Sequence, residues 1–138
     1  MPQKYFADTW YWLALISEQD NGHEQAIAMS DQLADELIYT SQMVFDELLG
    51  ACSQTRTQML RPLAIGLIEG LQNDNLVTVI EQTPQQFSSA LDRFKSYGDK
   101  VWSLTDCASM NIMSEHRIQT ALTNDPHFQQ ASFIVRNS

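Results

Sequence analysis

The stretch that decides the fold spans residues 101–111 and reads VWSLTDCASMN. Residues 101–104 have the apolar character of a buried strand, and residues 108–113 have that of a packed helix. Asp106 lies at the junction of these two segments. A carboxylate there has two explanations: it stabilises the start of the helix, or it belongs to a site at the end of a strand.

The same alternation of short apolar runs and longer amphipathic segments continues over the rest of the chain. Besides residues 101–104, strands are predicted at Lys4–Ala7, Leu37–Tyr39, Leu76–Ile80, Ala121–Thr123 and Ser132–Val135. Helices are predicted at Trp10–Ile16, His23–Glu36, Gln42–Cys52 and Met59–Leu71, after Thr83, after Asp106 and after Pro126. Strands that are separated by helices favour a parallel sheet covered on both faces. We therefore expect an α/β fold, a three-layer α/β/α sandwich with a mainly parallel central sheet, in one domain over residues 1–138.

Several helix details are predicted from the pattern. The second helix should pack through Ile27, Leu33, Ala34 and Leu37, and Pro62 should either start a new helix or produce a kink. Thr83 followed by Pro84 is typical of a helix start. The helix that begins there places an apolar stripe on one side: Phe87, Ala90, Leu91, Phe94 and Tyr97.

The composition is that of an ordinary globular protein. Of the 138 residues, 43% are hydrophobic and 18% are charged, so the chain can bury a core without disulfides. Its two cysteines, Cys52 and Cys107, lie in apolar stretches and are expected to be small buried side chains. No signal peptide is recognisable, and the longest apolar run, Trp10–Ile16, is too short to span a bilayer. These features lead us to expect a cytoplasmic protein without a membrane partner.

The net charge of −9 argues against simple electrostatic binding of nucleic acid, because phosphate contacts need lysine and arginine. If the substrate is a polyanion, then the acidic groups must be neutralised locally. Bound divalent cations or a basic partner protein would do this.

Three aspartates follow predicted strands: Asp8, Asp106 and Asp125. If those strands are parallel neighbours, the three carboxylates converge at one edge of the sheet, where open α/β sheets bind ligands. Each aspartate taken alone is better explained as a helix cap or a first-turn residue. The functional interpretation gains support only from their joint occurrence.

A fourth acid, Glu47, lies inside a predicted helix and cannot be a cap. It borders the apolar face of that helix, whereas Asp46 points towards solvent. Either it extends to water, or it is paired or bound to a metal. Four clustered carboxylates suit a hard divalent cation such as Mg²⁺ or Mn²⁺. Such a cation supports hydrolysis of phosphodiesters by activating water and stabilising charge on the phosphate.

Three stretches carry a resemblance to a known family. They are YFADTWYWLAL (5–15), TSQMVFDELLGA (40–51) and WSLTDCASMNIMSEHRIQTALTNDPHFQQASF (102–133). Together they resemble the successive motifs of a PIN domain of the bacterial VapC toxin type. The similarity extends from Tyr5 to Phe133, with little beyond the helix pattern in residues 54–97.

The resemblance implies a metal-dependent ribonuclease with an acidic site. The four family acids correspond to Asp8, Glu47, Asp106 and Asp125, which would be both catalytic residues and ligands of Mg²⁺ or Mn²⁺. Thr9 and Thr105 match the hydroxyl residues beside the first and third acids. The resemblance also implies an RNA substrate, a homodimer and a cognate antitoxin that could block the cleft with an arginine. One departure is Ser132, where similar sequences often have glycine.

The remaining features favour structural roles. His23, His116 and His127 match no zinc motif, although His127 follows Asp125 closely enough to approach the site. No glycine-rich phosphate loop is present, and Trp10 replaces the second acid that an aspartyl phosphatase would carry two residues after Asp8.

Two functions are therefore predicted from the sequence. The first is a metal-dependent endoribonuclease that hydrolyses RNA phosphodiester bonds as the toxin of a type II toxin–antitoxin pair. The second is a catalytically silent PIN-like interaction module, in which the acids are caps or bind a basic protein partner.

Overall fold

A five-stranded parallel sheet forms the centre of the computed structural model, which describes residues 1–138. Its strands are β1 (Lys4–Ala7), β2 (Leu37–Ser41), β3 (Val77–Ile80), β4 (Thr120–Leu122) and β5 (Ile134–Arg136). They are ordered β3-β2-β1-β4-β5, and every neighbouring pair is parallel. The predicted α/β sandwich with a parallel central sheet is confirmed, and β1 and β4 lie side by side as the site hypothesis requires.

Seven α-helices connect and cover these strands. They are α1 (Thr9–Ile16), α2 (His23–Gln32), α3 (Gln42–Ala51), α4 (Arg61–Gln72), α5 (Pro84–Ser96), α6 (Leu104–Glu115) and α7 (His127–Gln130), and a 3₁₀ turn at Gln58–Leu60 precedes α4. Pro62 lies in the first turn of α4, so it starts a helix and does not kink one. Thr83 caps α5 as predicted, since its hydroxyl accepts a hydrogen bond from the Gln86 amide. None of the helices has the length and apolar character needed to cross a membrane.

The core lies around the two central strands. Phe6, Ala7, Ala121 and Leu122 are fully buried, which explains why β1 and β4 read as continuous apolar runs. Methionines of α6 and Phe128 of α7 complete the packing on these strands. Both cysteines are buried and free, as the sequence predicted.

The strand predicted at residues 101–104 is absent. Val101 is 80% exposed, and Ser103 is the N-cap of α6, which already includes Leu104. Trp102 is buried, but as an anchor outside the sheet: its indole nitrogen donates to the Gln130 side chain at 2.9 Å. Four mostly apolar residues are too few to identify a strand by periodicity, and the Ser-x-x-Asp capping signal determines the local structure here.

The second helix is shorter than predicted and buries a different face. It ends at Gln32, so Ala34 and Leu37 lie beyond it. Ala26, Met29 and Leu33 are buried, at the three- and four-residue spacing of a helix face, whereas Ile27 is 42% exposed. The prediction followed the largest apolar side chains, although the small Ala26 is what allows α2 to pack closely.

The apolar stripe of α5 is largely accessible. Ala90 is fully buried, but Phe87, Phe94 and Tyr97 are each more than 40% exposed. The helix packs against α6, where the Arg93 guanidinium donates to the Asn111 side chain at 2.8 Å. The stripe is therefore a partly exposed apolar surface and not part of the core.

Ser132 has a left-handed backbone, with φ of 71°, in the turn that leads into β5. A side chain costs about 1–2 kcal/mol in this conformation, which explains why glycine suits the position. We expect Ser132→Gly to raise the free energy of unfolding by about 0.5 kcal/mol, after the added chain entropy of glycine is subtracted. Urea denaturation measures this change. The control Ser88→Gly, in the middle of α5, should lower the same quantity by about 0.5–1 kcal/mol.

Candidate active site

A cleft of about 380 Å³ opens where β1 and β4 end side by side. The two chain segments are joined there by a backbone hydrogen bond from the Asp8 amide to the Leu122 carbonyl at 3.2 Å. The cleft is lined by the four predicted acids together with one histidine and three hydroxyl residues: Asp8, Glu47, Asp106, Asp125, His127, Thr9, Ser103 and Thr123. Residues that are more than 100 positions apart in sequence therefore face a single cavity.

Asp8 is the most deeply buried acid of the cleft, with 5% exposure. Its Oδ2 accepts a hydrogen bond from the Thr123 hydroxyl at 2.9 Å, but its Oδ1 is buried with no hydrogen-bond partner. The pKa of Asp8 is raised from 3.8 to about 7, chiefly by burial and to a smaller extent by the nearby carboxylates of Asp106 and Glu47. A buried carboxylate oxygen without a donor is costly unless a cation binds it.

Asp106 both stabilises the start of α6 and faces the cleft. Its Oδ2 accepts the Ser103 amide at 3.0 Å, while the Ser103 hydroxyl accepts the Asp106 amide at 3.0 Å, which together form a capping box. The same Oδ2 lies 3.0 Å from Nδ1 of His127. Asp106 therefore follows no strand, contrary to the prediction, but the helix cap fixes the orientation of a carboxylate that also lines the cleft.

Asp125 is held by a tight turn after β4. Its amide donates to the Thr123 hydroxyl at 3.1 Å, and its Oδ1 accepts the amide of His127 at 2.9 Å. The residue that precedes α7 is Pro126, so Asp125 does not cap that helix directly. The turn instead brings the Asp125 carboxylate to within 3.1 Å of the His127 ring nitrogen.

The other predicted site residues differ in their placement. Glu47 lines the cleft from α3 and is exposed to solvent. Thr9 lines it with a buried hydroxyl that has no hydrogen-bond partner. Thr105 is half-buried in α6 and does not line the cleft. Ser103, two residues earlier, lines the cleft beside Asp106.

Sequence reasoning gave too little weight to His127 and overlooked Thr123. The hydroxyl of Thr123 connects Asp8 to Asp125, and the ring of His127 connects Asp125 to Asp106. The signal for His127 is its position two residues after an aspartate that starts a turn, which places both side chains on the same side. Thr123 could have been found as the polar residue that ends a fully apolar strand.

Thr123 is fully buried, and its hydroxyl serves two acidic residues at once. We expect Thr123→Val to lower the free energy of unfolding by about 1–3 kcal/mol, because Asp8 and the Asp125 amide each lose a buried partner. Thr123→Ser keeps the hydroxyl and should retain most of the stability. Urea denaturation at pH 8 compares the variants, and a loss for serine as large as that for valine would show that the hydroxyl contributes no more than the methyl group.

Comparison with known proteins identifies the family of this chain. The family model described as PIN domain matches residues 5–134. The protein belongs to the PIN domain family. The resemblance seen in the sequence is thereby confirmed. No curated protein matches the sequence.

Solved structures share the fold of this PIN domain at low sequence identity. VapC20 of Mycobacterium tuberculosis, described as a sarcin-ricin loop cleaving toxin, has a TM-score of 0.81 at 22% identity over 94% of this chain and 96% of its own. VapBC2 of Rickettsia felis has a TM-score of 0.67 at 14% identity over 98% of both chains. FitAcB of Neisseria gonorrhoeae has a TM-score of 0.64 at 22% identity over 96% of both chains.

Proposed function

We propose that this PIN domain is a Mg²⁺- or Mn²⁺-dependent endoribonuclease and the toxin of a type II toxin–antitoxin pair. The observation that carries the proposal is the unpartnered Oδ1 of Asp8, buried in a cleft that three further carboxylates line. Such an arrangement is unfavourable for the protein alone and favourable around a cation.

The donor set fits a hard divalent cation. Asp8, Asp106, Asp125 and Glu47 supply carboxylate oxygens, the ligands that Mg²⁺ and Mn²⁺ prefer. One side chain oxygen from each of Asp106 and Asp125 and the Nδ1 of His127 already lie within 4.8 Å of one another. When bound, the cation would supply an activated water and neutralise charge on the scissile phosphate.

The protein contributes by fixing the carboxylates before the substrate arrives. Thr123 holds one oxygen of Asp8, the capping box holds Asp106, and the turn at residues 123–127 holds Asp125. Prearranged groups of this kind accelerate a reaction because they need not reorganise in the transition state. Glu47 completes the set from the exposed margin of the cleft, where an RNA strand would enter.

RNA as the substrate is supported by the structural neighbours and not by the charge of the chain. VapC20 is described as cleaving the sarcin-ricin loop, which is an RNA substrate. The net charge of −9 means that the RNA must be held locally, through the cation and a few basic residues. We propose that this occurs in the cytoplasm.

An antitoxin and a homodimer are the proposed partners. The neighbours were solved as VapBC2 and FitAB, each of which was bound to DNA. A basic side chain of an antitoxin, such as an arginine, would enter the acidic cleft here and neutralise the carboxylates that otherwise hold the cation. The same acidic surface would accelerate association with a basic inhibitory segment.

The proposal is tested by incubating structured RNA with the purified protein and Mn²⁺. We expect cleavage by the native protein and by Asp46→Asn, which removes an exposed acid beside Glu47 that does not line the cleft. Asp8→Asn and Asp106→Asn should not cleave. Equal cleavage by all four proteins would show that the activity arises elsewhere.

The interaction module remains the alternative because Oδ2 of Asp106 already has partners within the protein. It accepts the Ser103 amide and lies beside His127. Under this alternative no combination of RNA and divalent metal gives cleavage, and the acids bind a basic protein. Absence of cleavage by the native protein, together with a normal fold by circular dichroism, would favour it.

A further inference from the structure

His127 lies inside the acidic cleft and is anchored there from both sides. It is the first residue of α7, a helix held by the fully buried Phe128 and by the bond from the Trp102 indole to Gln130. Its own amide donates to the Asp125 carboxylate at 2.9 Å. The side chain is 23% exposed, so the ring is restrained but can be reached through the cleft.

The ring nitrogen of His127 is shared between two carboxylates. Nδ1 lies 3.0 Å from Oδ2 of Asp106 and 3.1 Å from Oδ1 of Asp125. A single ring nitrogen carries at most one proton, so it cannot make a full hydrogen bond to both oxygens. A cation at the centre of these three atoms would satisfy all of them at once.

The two separations match the coordination of a six-coordinate divalent ion. Bonds of about 2.1 Å at right angles place neighbouring ligand atoms about 3.0 Å apart. Asp106, Asp125 and His127 each offer a ligand atom within 4.8 Å of the others, so a small side-chain movement brings all three around a common centre. The unpartnered Oδ1 of Asp8, in the same cleft, is an independent sign that this cavity accommodates a cation.

We propose that Nδ1 of His127 is a direct metal ligand, so that the site binds a first-row transition-metal ion through an imidazole as well as its carboxylates, in preference to Mg²⁺. This inference rests on the proposed function, because it specifies the cation of the same cleft. Imidazole nitrogen binds transition metals well and Mg²⁺ poorly, whereas carboxylates accept both. The histidine therefore gives the site a selectivity that an all-carboxylate cleft lacks.

Electron spin echo spectroscopy of the Mn²⁺-loaded protein tests the ligand directly. We expect nitrogen hyperfine coupling in the native protein that changes when its histidines are labelled with ¹⁵N. The coupling should persist in His116→Gln, which alters a histidine outside the cleft, and disappear in His127→Gln. Labelling of the native protein keeps the test valid even if the His127 variant folds poorly.

Calorimetric titration with Ni²⁺ and with Mg²⁺ tests the selectivity. We expect His127→Gln to weaken Ni²⁺ binding by about tenfold or more and Mg²⁺ binding by less than about threefold. Mn²⁺ binding without nitrogen coupling, or coupling that survives in His127→Gln, overturns the ligand assignment and leaves the proposed function intact. Failure of the native protein to bind any of these ions contradicts both proposals.

Discussion

Asp8→Asn should make the metal-free protein more stable at pH 8 by about 2 kcal/mol, while it removes a residue of the proposed active site. Burial raises the pKa of Asp8 to about 7, so at pH 8 the native state holds an ionised carboxylate that it disfavours. Raising the pKa of Asp8 from 3.8 to about 7 lowers the free energy of unfolding by about 4 kcal/mol when the carboxylate is ionised. Asparagine still accepts a hydrogen bond from the Thr123 hydroxyl. Its buried NH₂ group lacks an acceptor, however, and this costs about 1–3 kcal/mol of the stability gained.

The difference in stability between Asp8→Asn and the native protein depends on pH. Between about pH 4 and pH 7 the native protein holds a proton on Asp8 that the unfolded chain has released. The stabilisation from this proton is complete below the unfolded pKa and is lost as the pH rises through the folded value. The advantage of Asp8→Asn should therefore vanish near pH 5 and be reversed at pH 4.

Urea denaturation at several pH values in the presence of EDTA measures this prediction. Asp46→Asn is the matched control, since its exposed carboxylate should give a difference near zero at every pH. If Asp8→Asn is less stable than the native protein at pH 8, then the native carboxylate has a compensating partner in the metal-free state, and the argument for a missing cation fails.

Mn²⁺ should raise the melting temperature of the native protein by about 10 °C when its concentration is about 100 times the dissociation constant. Binding to the native state alone contributes about 2.7 kcal/mol under that condition. For a chain of this length, each kcal/mol corresponds to a few degrees. The shift should be absent in Asp106→Asn, because that variant removes a carboxylate oxygen at the centre of the cluster.

Two comparisons make the melting experiment specific. Asp46→Asn should show the full Mn²⁺ shift, because Asp46 does not line the cleft. Asp106→Asn also loses part of its capping box, so its melting temperature is compared with and without metal, and not with that of the native protein. An equal Mn²⁺ shift in Asp106→Asn would place the cation outside this cleft.

The fold could be predicted because its strands are short, mostly apolar and separated by helices. That pattern has few topological solutions, and β1 beside β4 follows from one of them. The strand predicted at residues 101–104 was wrong because the Ser103–Asp106 capping box outweighs a brief apolar run. The buried face of α2 was missed because Ala26 is small, and pattern reading favours large side chains such as Ile27.

The positions of the acids were easier to predict than the connections between them. Asp8 and Asp125 follow predicted strands, so their convergence required only that those strands be parallel neighbours, as β1 and β4 are. The Thr123 hydroxyl and the His127 ring are placed by a turn whose geometry depends on individual hydrogen bonds. Hydrophobic periodicity contains no information about such a turn, which is why both residues had to be found in the structure.

The bond from Thr123 to Asp8 joins residues 115 positions apart, and this has a consequence for the timing of synthesis. Because a chain emerges from the ribosome N-terminus first, β1 has no β4 beside it until residues 120–122 have been synthesised and have left the ribosome. The aspartate at the end of β1 meets its threonine only then. A nascent chain therefore has no complete cleft before residues 120–127 emerge, and the ribonuclease that we propose could not act earlier.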